Sequence, residues 1–238
     1  MPNEAREYKR NWQDVELSDQ VVSQLEDYVA TIASMYNENP FHGFEHASHV
    51  TMSAIKLLTR VLSEHSIDYT DMSYKKNDQV DMHKYTHGIT SDPITQFSVI
   101  FAALIHDVDH SGVPNAILVK ENAYIAGIYR NKSIAEQNSF DLAWNLLMEP
   151  TYCELRNCLC ATHSERVRFR QLIVNAVMAT DIADKELNAL RRQRWDKAFN
   201  SSKDNKSPQG TGDESLVDAT NRKATIVIEH LIQVRNEC

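Results

Sequence analysis

Apolar residues at Val21, Leu25, Tyr28, Val29, Ile32 and Met35 recur at three- and four-residue steps, and Val50, Ala54, Leu57, Leu58 and Val61 repeat the pattern. Such spacing sets apolar side chains along one stripe of a 3.6-residue helix, which predicts two amphipathic helices. Ser91-Asp92-Pro93 then reads as a helix start, with Ser or Asp able to cap free amides and Pro suited to the first helical position, ahead of an apolar stretch through Val108. Gly112 and Pro114 are expected to close that helix. The same spacing predicts further helices over 115–129, 133–148, 164–181, 184–199 and 219–235. No comparable series of alternating positions marks strands, and no fixed-period repeat is present. The fold class is therefore all-α.

Two polar stretches interrupt the helices. Near 63–93 the chain carries Ser63, Ser66, Asp68, Asp71, Lys75, Lys76, Asn77 and Asp78, which predicts a long surface excursion. Residues 200–215, punctuated by Pro208, Gly210 and Gly212, are too polar to bury a core and read as a loop. Neither needs to mark a domain boundary, so residues 1–238 are read as a single domain.

Composition narrows the partners. A net charge of −8 argues against a general grip on phosphate backbones, so no nucleic acid is expected. The richest apolar run, Phe97 to Ile105, is far shorter than the roughly 20 residues that span a bilayer. The first residues, Met1 to Glu7, lead into no apolar core of a secretory signal. A soluble, cytoplasmic segment without a membrane span is the expectation. Cys153, Cys158 and Cys160 crowd together with His163 nearby but lack paired CxxC spacing, which favours reduced, helix-packed thiols over a zinc finger.

The densest chemistry is Ile105-His106-Asp107-Val108-Asp109-His110, four metal-ligating or proton-transferring groups within five positions at the end of an apolar helix. One helical turn there can offer an imidazole nitrogen and a carboxylate to the same small region, with His110 one turn beyond His106. A second cluster, Phe41 to His49, sets His42 and His46 four apart, on one face if the segment is helical. His49 reads better as a polar helix-face residue than as a ligand. Hydrogen-bonded core histidines with capping acids are the plain alternative, but a charged cluster embedded in Phe101 to Ile105 needs a partner, which favours metal binding.

The order and separation of these clusters resemble the class I 3′,5′-cyclic nucleotide phosphodiesterases, within the wider helical HD metallohydrolase group. In that family a stretch H-N-x-x-H-A-x-D-V precedes a helix carrying H-D-x-D-H-x-G. Here stand His42-Gly43-Phe44-Glu45-His46-Ala47-Ser48-His49-Val50 and His106-Asp107-Val108-Asp109-His110-Ser111-Gly112. Similarity continues through Val113-Pro114-Asn115, Ser133-Ile134-Ala135-Glu136 and Met178-Ala179-Thr180-Asp181. The resemblance implies a compact multi-helix domain with two divalent ions, usually Zn2+ and Mg2+, with Mn2+ as a substitute. His46, His106 and Asp107 would hold the tighter ion, Asp107 would bridge to the second, and His42 would be the general acid. His110, Glu136 and Asp181 would stand near metal-bound waters. For Glu136 a second reading stays open, since Ser133 and Glu136 also form an S-x-x-E capping box. Asp109 is left as supporting structure, and Thr180 is equally at home bonding back to a helical carbonyl.

The implied reaction is hydrolysis of cAMP or cGMP to the nucleoside 5′-monophosphate in signal transduction. Water activated between the cations attacks phosphorus while His42 protonates the departing O3′. The implied setting is cytoplasmic, or the cytosolic face of a membrane within a longer anchored protein, with homo- or hetero-oligomers in view.

The chain also departs from the pattern. The family's further aspartate for the first metal aligns with Asn236, which offers a carbonyl oxygen but no charge. Gly43 and His49 replace an asparagine and an aspartate. The purine-binding glutamine and the stacking aromatic of the family would lie past Cys238, so a C-terminally incomplete domain lacking its last helices is expected, with little or no hydrolysis. The alternative is a catalytically silent module that binds a metal or a partner, and an HD hydrolase of another phosphate ester comes third.

Overall fold

The structure is a computed structural model that describes residues 16–63, 89, 92–200, 223 and 225–229, and no strand occurs among them. Helix α1 spans Asp19–Ser34, α2 Phe44–Ser63, α3 Pro93–Ile105, α4 Asn115–Lys120, α5 Tyr124–Ile128 and α6 Ile134–Met148. A 3-10 turn at Pro150–Tyr152 leads into α7, Cys153–Leu159, followed by α8, His163–Met178, α9, Lys185–Trp195, and a π-helical turn at Asp196–Asn200. Residues 223 and 225–229 are helical, inside the stretch 219–235 expected to be so. The all-α expectation holds. Most of the polar stretch near 63–93, all of 201–215 and Asn236 lie outside the described residues.

Helix starts follow their capping chemistry. Ser18 accepts from Val21 N at 3.3 Å and opens α1 with Asp19 in its first turn. Thr162 and Glu165 form a reciprocal capping box at α8, and Asp184 accepts from Glu186 N and Leu187 N at α9. At α3, Pro93 takes the first position, but the Asp92 carboxylate caps no amide. It accepts instead from Thr95 Oγ1 and the Arg168 guanidinium, tying α3 to α8.

Three expectations are corrected. Helix 115–129 breaks into α4 and α5, because Glu121 ends the first and Asn122 turns to φ 51°. The helix after Pro93 stops at Ile105, well short of Gly112. Helix α7 was not anticipated; it is short and buries only Leu155 fully, so it leaves no apolar period in the sequence.

The core is organised around α3, whose Val99, Phe101, Ala102, Ala103 and Ile105 are all buried. A helix apolar on every side belongs inside, and α3 lies against α2 on one flank and α8 on the other. Small Ala102 and Ala103, both 0% exposed, let these neighbours approach closely. Aromatic rings fill what remains. Tyr28 stacks on Phe101 at 5.6 Å, Phe169 meets Phe101 edge-on at 5.5 Å, and Phe97 lies 5.9 Å from Phe169. The buried Tyr28 hydroxyl donates to Ala143 O at 2.9 Å, so the ring enters the core without an orphaned group. The three thiols are free, and the helix-packed expectation holds only in part: Cys160 is buried just past α7, Cys153 is half-buried and Cys158 is exposed.

Phe169 joins α3, α6 and α8 through its contacts with Phe97, Phe101 and Trp144. Phe169→Ala is therefore expected to cost roughly 3–5 kcal/mol, seen as a lower urea midpoint at unchanged slope.

Candidate metal and active site

The end of α3 decides where the chemistry sits. Past Ile105 the backbone leaves the helix, and Asp109 adopts φ 58°. That conformation is held from three directions: Asp109 N donates to Met35 O at 3.0 Å, Asn37 Nδ2 to Asp109 Oδ1 at 3.0 Å, and Asn138 Nδ2 to Asp109 Oδ2 at 3.0 Å. The expected helical presentation of His106 to His110 is thus replaced by a tight turn, clamped to the end of α1 and to α6. Helix α2 begins only at Phe44, so His42 precedes it and His46 falls in its first turn. Their rings stand 6.5 Å apart, set by the connection rather than by one helix face.

Asp107 is the meeting point. Its Oδ2 lies 2.9 Å from His42 Nδ1, 3.3 Å from His106 Nε2 and 3.9 Å from His46 Nε2. His110 stacks on His42 with ring centroids 3.8 Å apart. Two groups could hold an ion, His46 with His106 and Asp107, and His42 with Asp107 and His110; within each, the ligand atoms lie within 4.8 Å of one another. These residues line a cleft of about 550 Å³ with Glu136 and Asp181 on its far wall.

The donor set fits a divalent cation. His106 Nδ1 donates to Ala103 O at 3.0 Å, so in the neutral ring Nε2 carries the lone pair. That nitrogen is buried, has no hydrogen-bond partner and faces the Asp107 carboxylate. A lone pair turned toward a carboxylate out of water is satisfied by a cation between them, not by a proton donor from the protein.

The far wall carries a carboxylate pair, Glu136 and Asp181. Asn115 Nδ2 donates to Glu136 Oε2 at 2.8 Å and reaches Asp181 Oδ2 at 3.4 Å, while Ser133 Oγ donates to Asp181 Oδ2 at 2.7 Å. Ser133 sits at φ 37° and makes no capping bond, so the capping-box reading of Ser133 and Glu136 is overturned. Asn115 Oδ1 takes that place by accepting from Ala135 N at 3.0 Å. His49 is exposed and belongs to neither ligand group. Thr180 Oγ1 bonds back to Val177 O at 2.7 Å. Asn115 and Ser133 stood in the matching stretches of the sequence, but their roles appear only once α4 and α6 meet.

The profile of the family described as 3′5′-cyclic nucleotide phosphodiesterase matches residues 41–233. The chain belongs to that family. Among curated phosphodiesterases, it is similar to the probable 3′,5′-cyclic-AMP phosphodiesterase pde-4 of Caenorhabditis elegans, 28% identical over 68% of this chain and 20% of that protein. It is similar also to the human cGMP-inhibited 3′,5′-cyclic phosphodiesterase 3A, 29% identical over 68% of this chain and 16% of the other. The Dictyostelium discoideum cGMP-specific 3′,5′-cGMP phosphodiesterase 3 is 28% identical over 67% and 29%. The chain thus spans less than a third of the length of each of these relatives. Among solved structures, the phosphodiesterase domain of the RhoPDE fusion protein of the choanoflagellate Salpingoeca rosetta superimposes with a TM-score of 0.62 at 21% identity, over 90% of this chain and 55% of that one, a likeness of fold.

Electrostatics divide the phosphodiesterase-family site into groups of different character. Hydrogen bonding to Asp107 raises His42 above the ordinary imidazole value, against the opposing effect of burial. Burial lowers His46 and His110. For Asp107, burial pushes upward but is outweighed by His106 and His42, so the carboxyl ends below its usual value. Glu136 is pushed up to about 7, first by burial and then by the charges of Asp181 and Asp107 against the hydrogen bond from Asn115.

In the metal-free chain, proton NMR titration should therefore find His42 titrating above the ordinary histidine value and His46 and His110 below it, with Asp107→Asn bringing His42 down. Glu136 gives a stability test. Between its ordinary value of 4.5 and about 7 the unfolded chain has lost a proton that the folded chain keeps, so stability falls as pH rises through that window. Glu136→Gln should stabilise the metal-free chain by roughly 1–3 kcal/mol at pH 8, with the gain vanishing toward pH 4.5 in urea unfolding.

Proposed function

We propose that residues 1–238 form one partial catalytic domain that hydrolyses 3′,5′-cyclic nucleotides, cAMP or cGMP, to nucleoside 5′-monophosphates. The observation that carries this reading is the Asp107 carboxylate flanked by His42, His46 and His106, with the bare, buried Nε2 of His106 turned toward it. His46, His106 and Asp107 would hold one ion, and Asp107 would share a second, with Zn2+ and Mg2+ as the preferred pair. Divalent cations there would supply Lewis acidity and an activated water to a phosphodiester already carrying negative charge.

The protein's own groups divide the remaining work. His42, held through Nδ1 on Asp107, keeps its Nε2–H for the departing O3′, and the carboxylate favours the protonated ring that a general acid requires. His110 accepts from Gly112 N at Nδ1, which leaves its own Nε2–H to donate toward solvent in the cleft. Glu136 and Asp181, fixed by Asn115 and Ser133, present acceptor oxygens that order water facing the ligand group. Among the described residues no helix is long and apolar enough to cross a membrane; the proposed setting is cytoplasmic, or the cytosolic face of a membrane within a longer anchored protein. Homo- or hetero-oligomers remain part of the same reading.

Turnover is expected to be weak, because Asn236 stands where the resemblance places a charged ligand. Purified protein with Zn2+ and Mg2+ should hydrolyse cAMP or cGMP slowly and lose the activity in His106→Ala. Asn236→Asp should raise zinc affinity by about tenfold or more, with a parallel gain in turnover. Hydrolysis unchanged in His106→Ala would sink the assignment. Zinc uptake without hydrolysis in either Asn236 form would favour the metal-binding regulatory module.

A further inference from the structure

Asn39 is a half-buried side chain outside both histidine motifs, and its carboxamide uses both ends. Oδ1 accepts from His42 N at 2.5 Å and from Phe41 N at 3.3 Å. Nδ2 donates across the cleft edge to His110 O at 3.1 Å, with a longer reach of 3.4 Å to His42 O. One planar group therefore joins the backbone that carries the proposed acid to the backbone that carries its stacked neighbour. Asn37 adds a parallel link from Nδ2 to His110 O at 3.3 Å.

The space around this carboxamide is fitted to it. Gly112 adopts φ 80°, and a side chain there would begin 3.5 Å from Asn39 Cβ, so the turn after His110 packs directly on Asn39. On the other side, a Cβ at Gly43 would meet Asn39 O at 3.3 Å, tighter than ordinary contact. Gly43, beside His42, is a position at which this chain departs from the family pattern. The neighbour that holds the His42 amide is Asn39.

We propose that Asn39 is the positioning residue of His42: by bridging the His42 amide to the His110 carbonyl, it fixes the stacked imidazole pair so that the His42 ring meets Asp107 through Nδ1 and points Nε2 into the cleft. This inference rests on the reading of His42 as the acid, whereas the bridge itself does not. Substituting Asn39 frees the ring about its backbone while leaving His46, His106 and Asp107, the ligand group on the other side of Asp107, in place.

The test uses Asn39→Ala and Asn39→Asp in the full chain. The Asp variant keeps the acceptor for both amides but sets a charged oxygen against His110 O where the donor stood, so it breaks the bridge while holding the loop and stays informative should the Ala variant fold poorly. The first readout is amide hydrogen exchange. In Asn39→Ala the amides of Phe41 and His42 should exchange at least about tenfold faster, while those of α2 and α3 stay unchanged. In Asn39→Asp the same amides should keep most of their protection. The second readout compares a cyclic nucleotide with bis(4-nitrophenyl) phosphate, whose leaving group departs without a proton. Asn39→Ala should lower kcat on the cyclic nucleotide by about 10–100-fold with KM little changed, spare the nitrophenyl ester, and add nothing further to His42→Ala. Equal losses on both substrates, or unaltered exchange at Phe41 and His42, would overturn the proposal. If the wild-type chain turns over neither substrate, the kinetic comparison is made in the Asn236→Asp form, and the exchange experiment by itself decides whether Asn39 holds the loop.

Discussion

A carboxylate that is buried at the end of an apolar helix must find positive charge or give up its own, and Asp107 meets that constraint with the imidazole of its neighbour His106 and those of the distant His42 and His46. Everything else in the cleft follows from satisfying it. The turn at 106–109 cannot relax into helix without withdrawing the carboxylate, and His42 cannot leave without exposing an unpaired acceptor. Because the attraction acts where water is scarce, it is screened less than a surface pair such as Lys132 with Glu186.

The two walls of the cleft solve opposite problems. On one wall, imidazoles crowd a single acid, and the acid holds its charge. On the other, two acids stand near each other with only neutral donors, Asn115 and Ser133, between them. Burial and the neighbouring charges of Asp181 and Asp107 then push the proton affinity of Glu136 up to about 7. A cleft built this way carries a gradient of proton affinity across its width. This suits the proposed hydrolysis, which would receive a negatively charged ester and release a product bearing one charge more.

The helical class and most of the helices were legible because α1, α2, α3, α6, α8 and α9 each leave an apolar stripe, a cap or both in the sequence. Helix α7 was not, since one buried leucine makes no period, nor was the break between α4 and α5, where Asn122 takes a conformation that its neighbours do not announce. The site was legible as two clusters, because His, Asp and Glu at close spacing survive any uncertainty about backbone shape. Its geometry was not. Spacing suggested helical faces, whereas the structure uses a turn and a helix entrance, which depend on contacts from Met35 and Asn138 far along the chain. Asn39 fits the same account: its bond to His110 O joins segments that only the folded chain brings together.

Helix α3 is at once the centre of the core and the stem of the site, with Ala103 buried among its neighbours while its carbonyl fixes the tautomer of His106. Stability and chemistry therefore cannot be adjusted separately in this protein. A larger residue at Ala102 or Ala103 that tightened or strained the packing would also tilt the ligand turn, and an engineer seeking a more robust scaffold would have to work from the outer helices inward.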